Sequence, residues 1–231
     1  MTTIALRAWQ RWTSIREQDG WRGASMWLFN RVGERLVNLG ISEVVWLELP
    51  DIKLVGAPPE GFEYRFLSPD ELATFVSPEN ELSEHHVERA RRGHDLCFAA
   101  VQNGRLAAFG WYALGCIEAI HCDNVPLSFP ADVSYMYKGF THPDFRGQRL
   151  HGYVMRLALE ELARTRGVNK LVSTVSWINW PSLKSCDRLG YRRLGRMVKL
   201  GWGVGSFGFY PRAAKKLGIR FGRRADMHTR D

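Results

Sequence analysis

The chain has 231 residues, 45% of them hydrophobic and 24% charged, which is typical of a globular protein and excludes a disordered or fibrous chain. No segment approaches the run of about 18 apolar residues that a membrane-spanning helix requires. The net charge of +8 is uneven, because residues 192–231 hold eleven lysines and arginines against two aspartates. A polyanion or an anionic membrane would therefore meet the C-terminal end rather than the whole fold.

The N-terminal residues and the cysteines favour a cytoplasmic protein. Residues 1–7 lack a basic segment leading into an apolar one, so no secretory signal is expected. The histidines lack the spacing of metal ligands, and we predict no metal site. The cysteines form no Cys-x-x-Cys pair, and reduced thiols are the simplest expectation for Cys97, Cys116, Cys122 and Cys186.

Two amphipathic helices are predicted at the N-terminus, over 3–18 and 21–38, with a break near Gly20. The apolar stripe of the second helix consists of Trp21, Leu28, Val32 and Leu36. The tryptophans of the two helices need an apolar environment; they are Trp9, Trp12, Trp21 and Trp27. Docking on the main domain, pairing with another chain and lying on a membrane are the three alternatives.

Pro- and Gly-rich residues 56–61 predict a domain boundary after a strand at 41–49. We therefore divide the chain into a helical N-terminal appendage with one strand (1–55), a main domain (56–211) and a basic C-terminal tail (212–231). The tail is expected to be a solvated end, with an anionic membrane as the alternative surface for it.

The main domain begins with a strand at 62–66, followed by a helix whose start carries a Ser68–Glu71 capping box. A polar helix is predicted over 80–92. Two strands then flank Asn103-Gly104, a strong hairpin signal.

The second half alternates strands and helices, the pattern that predicts parallel neighbours. A strand at 131–140 precedes a helix at 149–166, which Gly167 ends, and a strand follows at 170–176. A further helix ends at Gly190, and strands at 191–200 and 206–210 complete the domain.

The turn at 141–152 joins a strand end to a helix start and is the main candidate site. Free N–H groups and the dipole of a helix N-terminus attract anions, and arginine side chains add charge-assisted contacts. Arg146 and Arg149 lie in this turn. A pyrophosphate is the expected ligand.

Residues 62–200 resemble the GNAT family of acyltransferases in element order and in two motifs. The family's pyrophosphate loop, Arg/Gln-x-x-Gly-x-Gly/Ala, is similar to residues 146–151. Its Asn-x-x-Ala/Ser, tyrosine and Gly-Phe sequence is similar to Asn179–Ser182, Cys186 and Gly190-Tyr191. GNAT enzymes move an acyl group from acyl-coenzyme A to an amine.

The resemblance implies an α+β/α/β fold with a mixed, mostly antiparallel central sheet, helices on both faces, and strands 131–140 and 170–176 splaying apart. It implies acetyl-CoA or another acyl-CoA as cofactor. The cofactor-binding residues would be Phe140, Thr141, His142, Arg146, Gly147, Gln148, Arg149, Leu150, His151, Gly152, Asn179 and Ser182.

Three positions decide the expected chemistry. Arg149 and His151 stand where the family keeps small residues, and Cys186 replaces its tyrosine acid. For Cys186 the alternatives are a packed side chain, a proton donor to the leaving thiolate and the site of an acyl-cysteine intermediate. The candidate bases are Glu118, His121, Asp132 and Tyr137.

The expected partner is a small-molecule or peptide amine, which the loops at 77–93 and 114–130 would select. A homodimer and peripheral contact with an anionic membrane are further alternatives that the sequence leaves open. No specific nucleic acid is expected. The alternatives to an enzyme are a catalytically silent acyl-CoA sensor and a nucleic-acid-directed protein that uses the basic tail.

Overall fold

The computed structural model describes residues 3–93, 95–117, 125–201 and 207–222. Its strands are β1 (Gly40–Glu48), β2 (Glu63–Leu67), β3 (Asp95–Gln102), β4 (Arg105–Leu114), β5 (Cys116–Ile117), β6 (Leu127–Ser128), β7 (Val133–Thr141), β8 (Lys170–Ser176), β9 (Arg192–Leu200), β10 (Phe207–Phe209) and β11 (Arg220–Phe221). Its helices are α1 (Thr3–Val37), α2 (Pro69–Thr74), α3 (Glu84–Arg91), α4 (Leu150–Arg166), α5 (Trp180–Leu189) and α6 (Arg212–Lys216), with short 3-10 turns at Leu49–Asp51 and Pro143–Phe145.

Eight strands form one mixed sheet in the order β10-β9-β1-β8-β7-β4-β3-β2. All neighbours are antiparallel except β7 and β8. This parallel pair is short, because only residues 133–135 of β7 pair with residues 170–172 of β8. The two strands then diverge, as the family resemblance implied, and a cleft opens between them.

Both faces of the sheet are covered, so its central strands are apolar on both sides. In β1, Val45 and Leu47 belong to the core beneath α4, whereas Val44 and Trp46 belong to the core on the opposite face. Helices α2 and α3 cover that opposite face farther along the sheet, through Leu72 of α2 and other apolar residues. The period-2 alternation of a strand thus supplies two cores at once.

Local signals fix the helix ends. Ser68 and Glu71 exchange side-chain and backbone hydrogen bonds at the start of α2, which confirms the predicted capping box. Gly167 and Gly190 adopt left-handed conformations after α4 and α5, where a side chain would strain the backbone.

Helix α1 contains a break at Gly20, whose backbone is not helical, so the predicted pair of helices is present. Its second half docks through a narrow face that includes the buried Ala24 and Asn30. The side-chain oxygen of Asn30 accepts a 2.9 Å hydrogen bond from the indole N–H of Trp177, which lies just beyond β8. No helix among the described residues is both long and apolar enough to cross a bilayer.

The predicted apolar stripe of the second half of α1 points outward, so among the three alternatives this stripe does not pack on the main domain. The exposed residues, which we call the outer stripe, are Trp21, Leu28, Phe29, Val32 and Leu36. Hydrophobic periodicity identified the stripe correctly but carries no information on which face meets the sheet.

Two segments that the sequence divided from the main domain pack within it. Strand β1, grouped with the N-terminal appendage, lies between β8 and β9. At the other end, residues 212–222 form α6 and β11, in which Ala214 and Ile219 are buried, rather than a solvated tail. Residues 223–231 lie outside the described residues.

Candidate active site

The divergence of β7 and β8 creates a cleft of about 390 Å³. Beyond Tyr135, no described strand pairs with β7 on this side, although β4 pairs with its other edge as far as Thr141. Within the opening, the hydroxyl of Ser173 donates a 2.6 Å hydrogen bond to the Met136 carbonyl. Backbone of this kind can accept an extended ligand as an additional strand.

The cleft brings together seven of the predicted site residues: Tyr137, Phe140, Thr141, His151, Asn179, Ser182 and Cys186. It is lined by residues 136–141 of β7, His151 of α4, residues 173–176 of β8, and Asn179, Pro181, Ser182, Ser185, Cys186, Leu189 and Tyr191 around α5. None of these lining residues carries a carboxylate. Serine and threonine hydroxyls make its wall polar, and Lys138 is the only lysine or arginine among these lining residues.

The turn before α4 has a backbone geometry that suits an anion. Gly147 and Arg149 have positive φ of 86° and 59°, so the chain reverses tightly and α4 begins at Leu150. In the described structure, the backbone N–H groups of residues 147–151 find no acceptor. Arg146 is exposed, and its guanidinium donates a 3.3 Å hydrogen bond to the Thr141 carbonyl.

A second cavity of about 350 Å³ lies beside this turn. Three basic side chains line it, from Lys53, Arg149 and Arg188, and none forms an ion pair with a described residue. The sequence did not indicate Lys53 or Arg188. Lys53 reaches the site because its backbone N–H bonds the Leu189 carbonyl at 3.1 Å, a long-range contact with no local sequence signal.

His151 lies between the two cavities and lines both. Its imidazole lies against the backbone of Gly139, where a Cβ atom would be only 2.4 Å from the ring. Gly139 therefore has to be glycine for the ring to fit. Burial lowers the pKa of His151, so that the imidazole is neutral near neutral pH.

The residues of α5 present a cap and a thiol to the cleft. The Asn179 carbonyl oxygen accepts a 3.3 Å hydrogen bond from the Ser182 backbone N–H and caps the helix. Cys186 is half-buried, and burial, with a smaller contribution from Asp187, raises its pKa to about 11. The side chain is therefore a thiol at neutral pH, and a poor nucleophile.

Tyr137 lies at a β-bulge, because the register of β7 against β4 shifts between Lys138 and Met136. Its hydroxyl donates a 2.9 Å hydrogen bond to the carboxylate of Asp95. The same carboxylate pairs with Arg89, and burial raises the pKa of Tyr137 well above its ordinary value. A phenol held in this way is a poor proton acceptor.

The other predicted cofactor residues contribute in different ways. Phe140 is buried against Phe109, so only its backbone faces the cleft. The His142 side chain is buried, with its Nε2 atom 2.9 Å from a carboxylate oxygen of Glu79. The backbone N–H of His142 donates a hydrogen bond to the Ala107 carbonyl. Neither His142 nor the exposed Gln148 lines either cavity.

Leu150 and Gly152 belong mainly to the packing of α4. Leu150 is 1% exposed in the core, so it can offer only its N–H. Gly152 lines the second cavity, and a Cβ there would lie 3.0 Å from Leu189 and Leu54.

Two of the candidate bases, Glu118 and His121, lie outside the described residues. Asp132 pairs with Lys170 at the closed end of the β7–β8 pair, away from the cleft lining. Within the described ranges, no cluster of His, Cys, Asp and Glu side chains could hold a metal ion.

No protein-family model and no curated protein matches this chain. Solved structures do match it. A tandem GNAT protein from the clavulanic acid biosynthesis pathway is 21% identical, with a TM-score of 0.51 over 70% of this chain and 52% of that protein. A GCN5-related N-acetyltransferase-like protein from Streptococcus suis is 16% identical, with a TM-score of 0.51 over 78% of this chain and 68% of that one.

These similarities establish the architecture. The chain spans about half the length of the tandem protein, 52% of it. Its fold is that of the GNAT acetyltransferases, a mixed and mostly antiparallel sheet with helices on both faces, as the sequence predicted.

Proposed function

We propose that this protein is an acyltransferase that moves an acetyl or longer acyl group from acyl-CoA directly to an amine. The observation that carries the proposal is the junction of two features: the open edge of β7 and the turn before α4 with its unbonded N–H groups. An elongated ligand with phosphates at one end and an extended arm matches both.

The residues present fit coenzyme A. The backbone N–H groups of 147–151 and the cations of Lys53, Arg149 and Arg188 suit its phosphates. The open edge of β7 suits the amide-containing arm, and Asn179, Ser182 and Cys186 lie farther along the same cleft. When bound, acyl-CoA supplies an activated thioester.

The chain's own side chains restrict the route of the protons. Because Cys186 stays protonated with a pKa of about 11, it is suited to donate a hydrogen bond to a developing thiolate rather than to attack the acyl group. Full proton transfer from Cys186 to a thiolate of ordinary pKa, about 8.5, would be uphill by about 2.5 pKa units. The thiol therefore stabilises the leaving group, and solvent completes the proton transfer.

The attacking amine has to lose a proton as well. Among the described lining residues, neutral His151 is the side chain with an ordinary pKa close to neutrality, whereas Tyr137 already donates to Asp95. Glu118 and His121 stay candidates for the base, since they belong to the loop that we expect to select the acceptor. Water linking the amine to one of these groups is sufficient.

The test is release of free thiol from acetyl-CoA across a panel of amines, together with calorimetric binding of coenzyme A. Arg146→Ala and Arg149→Ala should each weaken binding by about tenfold, since a charge-assisted hydrogen bond contributes roughly 1.5 kcal/mol. Arg166→Ala, at the far end of α4, is the matched control. Unchanged affinity in both turn variants would remove the turn from the cofactor site.

A non-catalytic acyl-CoA sensor is the second candidate. Two observations favour it. The Cys186 thiol is a weak acid, and the His151 ring lies between the second cavity, where the phosphates would bind, and the cleft. Tight coenzyme A binding with no thiol release for any amine would identify the sensor.

A further inference from the structure

The second half of α1 presents its most apolar face to solvent. The five residues of the outer stripe are between 45% and 72% exposed, whereas Ala24 and Asn30 on the docking face are almost fully buried. The half-buried Met26 and Trp27 join Ala24 and Asn30 in docking, whereas the large apolar side chains of the outer stripe stay exposed and are available to a partner.

A tryptophan cluster extends this surface across the break in α1. Trp9 and Trp12 stack with ring centroids 5.3 Å apart, and Trp21 meets Trp12 edge-on at 5.6 Å. The guanidinium of Arg16 lies 5.3 Å from the Trp12 ring and 5.2 Å from the Trp21 ring. Tryptophans and arginines with apolar bodies and polar tips suit the boundary between lipid and water.

The surface continues onto the edge of the sheet. Gly201 donates a 2.9 Å hydrogen bond to the Val37 carbonyl, which ties the end of α1 to the end of β9. Next to this tie, Leu200 is 44% exposed, and Phe207 and Phe209 on the edge strand β10 are 60% and 64% exposed. The tie therefore brings the C-terminal end of the outer stripe close to these three exposed apolar residues.

The charges around the outer stripe identify its partner. At 3.6 residues per turn, Arg22 lies on one side of the stripe and Arg31 and Arg35 lie on the other, and all three are exposed. Residues 1–37 contain six arginines against three acidic residues. An apolar helix face with basic flanks complements an anionic lipid surface.

A second copy of the chain fits this surface less well. In a two-fold contact, the same patch would face itself and bring the flanking arginines of both copies together. Glu34 is the one acidic residue of the second half of α1, and it already faces Arg31 at 4.0 Å. Like charges at the rim oppose such a dimer.

We propose that α1 and the exposed apolar residues of strands β9 and β10 form a docking surface for an anionic lipid bilayer. The outer stripe enters the headgroup boundary, the tryptophan cluster lies at the level of the headgroups, and the flanking arginines contact lipid phosphates. The proposal stands independently of the acyltransferase function.

The experiment is co-sedimentation of the full chain with vesicles of phosphatidylcholine, alone or mixed with phosphatidylglycerol. Binding is expected only to the anionic vesicles and should weaken as salt is raised. The Arg22→Gln/Arg31→Gln/Arg35→Gln variant should bind roughly 100-fold more weakly, at about fivefold per arginine. Leu28→Ser/Phe29→Ser should reduce binding by at least about tenfold.

Matched variants separate this surface from general effects. Arg91→Gln/Arg92→Gln/Arg166→Gln removes the same charge elsewhere, and Val55→Ser changes an exposed apolar residue outside the surface. Both should bind like the unchanged protein, and thermal melting verifies that every variant is folded. The proposal is overturned if anionic vesicles do not bind the protein, or if only deletion of 223–231 abolishes binding. It is also overturned if the stripe variants merely convert a dimer to a monomer.

Discussion

His151 is the residue at which this site departs furthest from a glycine-containing phosphate loop. Its ring lines both the second cavity and the cleft and lies on Gly139. An arm that runs from one cavity to the other has to pass this ring, so the side chain must be fixed in a second position when the ligand binds.

We therefore expect His151→Ala to bind coenzyme A more tightly. Fixing one side chain costs about 1 kcal/mol, which corresponds to an approximately fivefold lower Kd in the variant. Isothermal titration measures the change, and Leu157→Ala on the same helix, away from both cavities, serves as control. Weaker binding by His151→Ala would mean that the ring contacts the ligand directly.

The same histidine makes the stability of the protein depend on pH. Burial lowers its pKa below the ordinary 6.5, so the unfolded chain binds the proton more readily than the folded one. Stability contributed by the neutral ring is present above about pH 6.5 and is lost as the pH falls toward the folded-state pKa, by at most about 1.4 kcal/mol per pH unit.

His151→Gln should therefore lose less stability than the unchanged protein between about pH 7 and pH 5. Urea unfolding at the two pH values measures this difference. His85→Gln, on the exposed side of α3, is the control. An identical acid-induced loss in His151→Gln and the unchanged protein would contradict the assignment.

At the scale of elements, local signals predicted boundaries well. Strand β8 was predicted at residues 170–176 and is observed there, and the Asn103-Gly104 hairpin joins β3 and β4. Such features depend on neighbouring residues alone. The second cavity does not depend on neighbouring residues alone, because Lys53 and Arg188 line the same cavity only after β1, α4 and α5 have packed together.

The capping box of α2 offers a quantitative test of a local signal. Ser68→Ala removes the acceptor for the Glu71 backbone N–H, now 3.3 Å away, and should lower the free energy of unfolding by about 1 kcal/mol. Urea denaturation measures it. Ser68→Thr keeps a hydroxyl and should cost only a small fraction of this amount. Equal losses in both variants would show that packing around residue 68, not capping, is responsible.

At the scale of the whole molecule, the sequence predicted the sheet and its cleft but not the place of β1. An apolar strand after a helical segment, followed by a Pro- and Gly-rich loop, is typical of an appendage. Its partners, β8 and β9, lie more than 120 residues later in the chain, and strand pairing at that distance leaves no trace in local composition. The outward orientation of the outer stripe could not be predicted for the same reason, because the face through which α1 docks depends on residues far away in the chain.

Two truncations distinguish the appendage from the core. In β1, the side chains of Val44, Val45, Trp46 and Leu47 are at most 1% exposed. Each contributes about 1.5–3 kcal/mol, so their loss approaches the whole stability of an ordinary domain. A chain of residues 56–231 should therefore fail to fold. A chain of residues 38–231 loses only α1, which docks through a narrow face, and should melt cooperatively in calorimetry. Cooperative melting of 56–231 would show that β1 is dispensable, and an unfolded 38–231 chain would make α1 part of the core.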